Sequence, residues 1–128
     1  MKIRLTSVYV KNQAHALRFY TEVLGFEKKT DLAFGDDRWL TVTTPGESED
    51  LELVLEPTKF EPAQTFQAAL HDADIPLTAF EVDDVDAEFQ MLRDKNVEFT
   101  LEPTVAGETT IAIFADTCGN LIQLYQRM

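Results

Sequence analysis

The sequence has little of three features that mark particular classes of protein: cysteine, basic side chains and long apolar runs. Its single cysteine, Cys118, cannot form an internal disulfide, which is typical of proteins of the reducing cytoplasm. Lys and Arg number 11 against 23 Asp and Glu, a net charge of −12, which argues against nucleic acids and anionic membranes as partners. The longest tight apolar run, residues 111–115, is far shorter than the roughly 18 residues of a membrane span.

The remaining composition predicts a small globular protein. The chain has 128 residues, and a single domain typically has about 100–150. Because 45% of the residues are hydrophobic, the chain can bury a core despite its charge. The first residues, Met1 to Arg4, precede no apolar stretch, so we expect no signal peptide and a cytoplasmic location.

The first half of the chain has the pattern strand, helix and three strands. Apolar residues at helical spacing follow Gln13, and Gly25 ends that helix because it accepts positive φ. Turn residues 35–37 and 45–48 separate the later strands. The predicted strands are residues 3–10, 26–34, 38–43 and 51–56.

The second half repeats this pattern after a connection. Residues 57–75 are predicted to connect two modules, 1–56 and 76–128, and to contain a short helix with Phe66, Ala69 and Leu70 on its apolar face. A second long helix begins at Val85 and ends near Lys95. The predicted strands of the second module are residues 77–82, 97–101, 109–114 and 121–126.

A nearly constant offset relates the two halves. Val10 matches Val82 at an offset of 72 residues, while Gly25-Phe26 matches Asn96-Val97 and Leu53 matches Leu124, both at 71. A duplication explains this better than an α+β sandwich without repeats, in which a constant offset would be a coincidence. The sequence therefore predicts an α+β fold of two βαβββ modules with curved mixed sheets.

Alternation along the strands assigns side chains to two faces of each sheet. One face is uniformly apolar, as a packed helix requires, and comprises Val8, Val10, Leu40, Val42, Leu51, Leu53, Leu55, Phe80, Val82, Ile111, Ile113, Ile122 and Leu124. The other is mixed, and comprises Leu5, Ser7, Tyr9, Trp39, Thr41, Thr43, Glu52, Val54, Glu56, Leu77, Ala79, Glu81, Thr110, Ala112, Phe114, Gln123 and Tyr125. Aromatic groups with isolated polar groups favour a ligand cavity on this second face, although an ordinary sheet with one wet face is the alternative.

Two motifs resemble those of the vicinal oxygen chelate superfamily, which includes glyoxalase I, extradiol dioxygenases and bleomycin-resistance proteins. Residues 19–26 (FYTEVLGF) are similar to the "FY…LGF" helix end of that family, and residues 114–124 (FADTCGNLIQL) to its strand-turn-strand motif. Asp83-Asp84-Val85-Asp86 also resembles the start of the family's second helix. The resemblance implies two βαβββ modules that enclose a cavity.

Metal-dependent members of the superfamily bind their metal at four positions, and the resemblance carries these over to Leu5, Glu52, Leu77 and Gln123. Leucine has no lone pair for a metal, and Gln123 offers a neutral carbonyl oxygen, so no metal cofactor is expected. An oxygen-only site for a hard divalent cation, with Glu56 and Glu81 beside Glu52, is the weaker alternative.

The favoured function is metal-free binding of an apolar or cationic organic molecule, similar to antibiotic sequestration by bleomycin-resistance proteins. The candidate ligand-binding residues are Ser7, Tyr9, Trp39, Thr41, Glu52, Glu56, Glu81, Phe114, Gln123 and Tyr125, with no basic residue among them. The alternative is a glyoxalase-like lyase or dioxygenase-like enzyme that uses Glu52. The resemblance also implies a homodimer.

Overall fold

The computed structural model describes residues 1–46 and 51–128, which divide into two compact units, Met1–Gln64 and Thr65–Met128. Unit 1 contains β1 (Leu5–Val10), α1 (Gln13–Arg18), a π-helical turn (Phe19–Val23), β2 (Glu27–Phe34), β3 (Asp37–Thr43) and β4 (Glu52–Pro57). Helix α2 (Glu61–Asp72) crosses the boundary, and unit 2 continues with β5 (Thr78–Glu81), α3 (Val85–Asp94), β6 (Phe99–Ala106), β7 (Thr109–Ala115) and β8 (Leu121–Arg127). The predicted α+β fold of two βαβββ modules is confirmed. Two residues of a predicted turn, Glu47 and Ser48, lie outside the described residues.

The sheet of unit 1 has the strand order β1-β4-β3-β2, in which β1 runs parallel to β4 and the other neighbours are antiparallel. Helix α1 packs against β3 and β4. Five side chains predicted to lie beneath it are almost completely buried: Val8, Val10, Leu40, Val42 and Leu55. Leu51, predicted for the same face, precedes β4 and is 52% exposed. Ala16 and Tyr20 of the helical segment are completely buried as well, and the burial of such apolar groups favours folding.

Helix α1 begins where the sequence predicts, but the α-helix ends at Arg18 and a π-helical turn covers the rest of the predicted helix before Gly25. The Asn12 side chain accepts a hydrogen bond from the His15 amide at 2.9 Å, which caps the first turn. The helix closes through the π-helical turn, in which the Phe26 amide bonds back to the Tyr20 carbonyl at 3.0 Å. Gly25 has a φ of +87°, so it occupies the left-handed conformation that its place after a helix requires.

Unit 2 repeats this plan with the strand order β5-β8-β7-β6. The Asp84 side chain caps α3 by accepting a bond from the Ala87 amide at 3.0 Å, as the Asn12 side chain caps α1. Asn96 has a φ of +66° after α3, at the place that Gly25 occupies in unit 1. The two helix ends therefore match in conformation as well as in sequence offset.

One predicted face assignment in unit 2 is wrong. Strand β7 pairs with β8 so that Ile111 lies opposite Tyr125 and Phe114 lies opposite Ile122. Ile111 and Ile113 therefore lie on the face away from α3, together with Tyr125. The side chains packed beneath α3 include Ala112, Phe114, Ile122 and Leu124. Both parities of β7 are apolar, so alternation alone could not choose between them.

The apolar face predicted for α2 is also wrong. Ala63 and Gln67 are the buried residues of α2, whereas Phe66 is 52% exposed and Ala69 is exposed as well. The polar Gln67 faces inward because its amide is satisfied there: its Nε2 donates to the Asn120 side-chain oxygen at 2.9 Å. Hydrogen-bonding partners, which a hydrophobicity pattern ignores, decide the orientation of this helix.

Strand β6 is longer than predicted. It continues from Leu101 through Pro103 to Ala106, with register shifts on both sides of Leu101. Proline is tolerated there because β6 is an edge strand, and the irregular pairing near Pro103 does not require its missing amide hydrogen.

Among the described residues, no helix is long and apolar enough to cross a membrane.

The turn between β7 and β8 is organised by the buried carboxylate of Asp116. Its Oδ1 accepts bonds from the amides of Cys118 at 2.7 Å and Asn120 at 3.0 Å. Its Oδ2 accepts from the Asn120 side-chain amide at 2.8 Å. Asn120 in turn binds Gln67, so the network joins α2 to the turn and compensates the burial of its polar groups.

Thr58 follows β4 and is buried. Unlike the buried polar groups around Asp116, its hydroxyl is not hydrogen-bonded to any described residue. Its amide donates to the Val10 carbonyl at 3.0 Å and its carbonyl accepts from the Gln64 side chain at 2.9 Å. The hydroxyl Oγ1 has no hydrogen-bond partner among the described residues. A buried hydroxyl without a partner is destabilising, because it loses its bonds to water on folding.

We therefore expect Thr58→Val to stabilise the protein by about 1 kcal/mol, because valine has a similar shape and no hydroxyl. Urea unfolding followed by circular dichroism measures the change. Thr100→Val, at an exposed position of β6, is the matched control and should have a smaller effect. A loss of stability in Thr58→Val would contradict the prediction.

Candidate functional site

The face of the unit 1 sheet away from α1, here called the α1-distal face, brings together most of the predicted binding residues. Strand pairing places Leu5 opposite Glu52, Ser7 opposite Val54 and Tyr9 opposite Glu56. Thr41 of β3 lies opposite Val54, which adds Thr41 and Trp39 to the same side. On this face Thr41 is fully buried, whereas Leu5 and Ser7 are exposed.

A short chain of hydrogen bonds holds the Glu52 carboxylate on this face. The Thr30 amide donates to Thr41 Oγ1 at 3.1 Å, and the Thr41 hydroxyl donates to Glu52 Oε1 at 2.7 Å. The Thr41 hydroxyl has one hydrogen, which it donates to Glu52, so toward the Thr30 amide its oxygen is the acceptor. Thr30 Oγ1 also lies 3.5 Å from Glu52 Oε1, so within the described residues both bonds to this carboxylate reach the same oxygen.

Aromatic and acidic groups lie together at the other end of the face. Tyr9 and Glu56 are opposite one another, and each is half-buried, as is Trp39. On the next strand Leu32 lies opposite Trp39 and is 61% exposed. Strands β1, β3 and β4 contribute no Lys or Arg to this face within the described residues. The arrangement suits a ligand with a flat apolar body and a hydrogen-bond donor.

The corresponding α3-distal face of unit 2 comprises Ala79, Glu81, Ile111, Ile113, Gln123 and Tyr125. The expectation that it carries no basic residue is wrong. Arg127 Nε lies 2.6 Å from Glu81 Oε1, so a guanidinium already occupies this carboxylate. Strand β8 extends one residue beyond its predicted end at Gln126, which adds Arg127 to this face. The signal was available: Arg127 has the same parity as Gln123 and Tyr125.

Phe114, predicted to contact a ligand, belongs instead to the core beneath α3. It is completely buried, and its ring lies 5.8 Å from that of Phe99. Phe99 in turn stacks edge-to-face with Phe89 of α3 at 4.8 Å. The register of β7 and β8 turns Phe114 toward the helix, so it is unavailable to a molecule on the α3-distal face.

The four positions carried over from metal-dependent relatives do not form a comparable donor set here. Leu5 and Glu52 are neighbours across the β1–β4 ladder, so the one carboxylate faces an aliphatic side chain. In unit 2, Gln123 lies opposite Ala79 rather than Leu77, which precedes β5. No group of three or more His, Cys, Asp or Glu side chains in the described part of the chain could hold a metal. These donors do not fit a tight transition-metal site.

Cys118 is free and buried in the turn after β7. Burial, followed by the nearby Asp116 carboxylate, raises the pKa of the thiol to about 12. At neutral pH the side chain is therefore a thiol rather than a nucleophilic thiolate. The location of the protein in the cytoplasm remains a prediction.

The chain belongs to the glyoxalase/bleomycin resistance protein/dioxygenase superfamily, whose family model matches residues 2–124. It is 47% identical to the protein YurT of Bacillus subtilis (strain 168) over 127 residues, 99% of this chain and 100% of that protein. Among solved structures it resembles UcmS2, with 31% identity, a TM-score of 0.84 and coverage of 98% of this chain and 97% of that one.

A second solved structure is TnmS3, an antibiotic binding protein from Streptomyces sp. CB03234. The two chains are 28% identical, with a TM-score of 0.76 and coverage of 100% of this chain and 97% of the other. The resemblance that the two sequence motifs indicate is thus confirmed at the level of the superfamily and its fold.

The face assignment of β7 can be tested by truncation. Phe114→Ala should destabilise the protein by about 3 kcal/mol, because it removes a large ring from the core beneath α3. Tyr125→Ala, on the α3-distal face, should cost clearly less, since Tyr125 is half-exposed. Urea unfolding measures both, and equal costs would contradict the assignment.

Proposed function

We propose that the chain is a small-molecule-binding protein of the antibiotic-sequestration type, which binds its ligand on the α1-distal face without a metal. The ligand has a flat or apolar body and a cationic or hydrogen-bond-donating group. Glu52 carries this proposal: the Thr41 hydroxyl orients its carboxylate through Oε1, and a half-buried carboxylate can accept a hydrogen bond from a cationic or donor group of a ligand.

The surroundings of Glu52 support the same ligand class. Trp39 and Tyr9 supply aromatic surface on the same face, and Glu56 is a second acidic group opposite Tyr9. The net charge of −12 attracts cationic molecules at low salt. Antibiotic binding by TnmS3, a relative of the same fold, makes an antibiotic-like compound a reasonable first choice of ligand.

Trp39 is the only tryptophan, so its emission reports on the α1-distal face without a label. We expect bleomycin or a planar aromatic amine to change this emission, whereas the N-acetylated amine, which lacks the charge, binds more weakly. Glu52→Gln should weaken binding of the amine about tenfold and leave the acetylated compound nearly unaffected, because it removes only the charge at that position.

Trp39→Phe is the signal control: it should abolish the fluorescence change while calorimetry still detects binding. Binding of phosphonates or glutathione conjugates together with failure of every cationic compound would contradict the proposed ligand class.

The proposal includes the absence of a resident transition metal. Leu5 and Leu77 stand where metal-dependent relatives have ligands, and an aliphatic side chain cannot coordinate a cation. Elemental analysis of protein purified without chelators should find far less than one metal ion per chain. Near-equimolar zinc, nickel, iron or manganese after desalting would overturn this point and favour an enzyme that uses Glu52.

We also propose that the protein is a homodimer, because Leu32 and Phe34 of edge strand β2 leave 61% and 70% of their surfaces exposed. Sedimentation should give twice the chain mass of 14.5 kDa. Because both copies are acidic, added salt should strengthen association, and Phe34→Lys should weaken it. A single 14.5 kDa species at micromolar concentration would contradict the proposal.

A further inference from the structure

The regular pairing of β3 with β4 ends before the strands reach the aromatic end of the α1-distal face. The two strands are in register at Thr41–Val54 and Val42–Leu53. Continued by two and four residues, this register would place Leu40 opposite Leu55 and Arg38 opposite Pro57. A proline has no amide hydrogen, so it cannot donate to the Arg38 carbonyl.

The Gln13 side chain supplies what Pro57 lacks. Its Nε2 donates to the Arg38 carbonyl at 2.7 Å and to the Leu55 carbonyl at 2.9 Å. Its Oε1 accepts from the Arg38 amide at 3.0 Å. Both hydrogens of one side-chain amide are thus used, and it bridges two neighbouring strands from the first residue of α1.

Trp39 and Leu40 lie between Arg38, which Gln13 binds, and Thr41, which is paired with Val54. Gln13 holds both polar groups of the Arg38 backbone, so it fixes the peptide that leads into Trp39. The Trp39 side chain points to the opposite face of the sheet from α1, next to Glu56 in the continued register. A side chain on the helix side therefore controls a group on the proposed binding face.

We propose that Gln13 is a positioning residue: it bridges β3 and β4 beyond Thr41–Val54, where their pairing ends, supplies to Arg38 the donor that Pro57 lacks, and thereby holds Trp39 in place on the α1-distal face. The role in binding rests on the proposed function, whereas the role in holding Trp39 does not. A strand end without these bonds would expose unpaired carbonyls of Arg38 and Leu55, and such groups favour strand separation.

Unit 2 provides a matched control. There the residue offset from Gln13 by 72 positions is Val85, and a glutamine of the sheet, Gln126, makes the link to the helix instead. Its Oε1 accepts from the Val85 amide at 2.9 Å, and β7 and β8 remain paired from Thr109–Arg127 to Ala115–Leu121. Gln126 thus contacts the start of a helix without bridging two strands.

The test is a double-mutant cycle between Gln13→Met and Pro57→Val, read by Trp39 emission without ligand and by hydrogen exchange of the Arg38 amide. Gln13→Met should move the emission to longer wavelength, increase acrylamide quenching and speed Arg38 exchange about tenfold. In the Pro57→Val background, where β4 has its own amide hydrogen, these effects should be largely suppressed. Gln126→Met should leave both readouts unchanged.

Additive effects of Gln13→Met and Pro57→Val would overturn the proposal, as would a lowered melting temperature in Gln13→Met with unaltered Trp39 emission. If Gln13→Met folds poorly, Gln13→Glu retains length and acceptor but loses both donors, and should give the same readouts. For a ligand found by the Trp39 titration, Gln13→Met should weaken binding by about tenfold. If Gln13→Met changes Trp39 emission as expected but none of the tested ligands binds the protein, the positioning role is supported and the proposed function is contradicted.

Discussion

Each four-stranded sheet buries one face beneath a single helix, and this constraint governs the rest of the structure. Side chains of successive strand residues point to opposite sides, so the aliphatic groups that pack on α1 or α3 leave the alternate set on the other face. Val8, Leu40 and Leu55 are completely or almost completely buried under α1. Their neighbours Tyr9, Trp39 and Glu56 thereby lie on the α1-distal face, where we propose that the ligand binds.

Within this plan the two units differ in how their polar groups are used. In unit 1 the Thr41 hydroxyl donates a hydrogen bond to the Glu52 carboxylate. In unit 2 the Glu81 carboxylate is paired with Arg127, and the inner positions of the face are aliphatic at Ile111 and Ile113. The two faces thus differ in whether a hydroxyl or a guanidinium holds the carboxylate.

The superfamily is best known for metal chemistry, which makes the substitutions at its ligand positions informative. Leu5 lies directly across from Glu52, so the carboxylate is retained while its neighbour cannot coordinate a cation. What remains is an oriented acceptor beside apolar and aromatic surface. We propose that this arrangement recognises a ligand through a hydrogen bond and stacking, without a metal that polarises substrate oxygens.

Local sequence determined much of the fold. The caps at Asn12 and Asp84 and the left-handed residues Gly25 and Asn96 obey rules that depend only on neighbouring residues, so the starts of α1 and α3 and the ends of their helical segments were predictable. Alternation likewise placed Trp39, Thr41 and Glu52 on one face, because only one parity of β3 and β4 is uniformly apolar. The repeat offset then predicted two modules of the same kind.

Tertiary structure alone decided the side-chain orientations in two situations. In one, both faces of a strand were equally apolar; in the other, a polar side chain found its hydrogen-bond partner far away in the sequence. Phe114 could have faced either way, and the register between β7 and β8 turned it into the core. Gln67 is buried because Asn120, 53 residues away, accepts its bond, and Gln13 bridges Arg38 and Leu55 across 25 and 42 residues. Alternation and helical periodicity describe neighbours in sequence, whereas these contacts depend on the register and packing of distant elements.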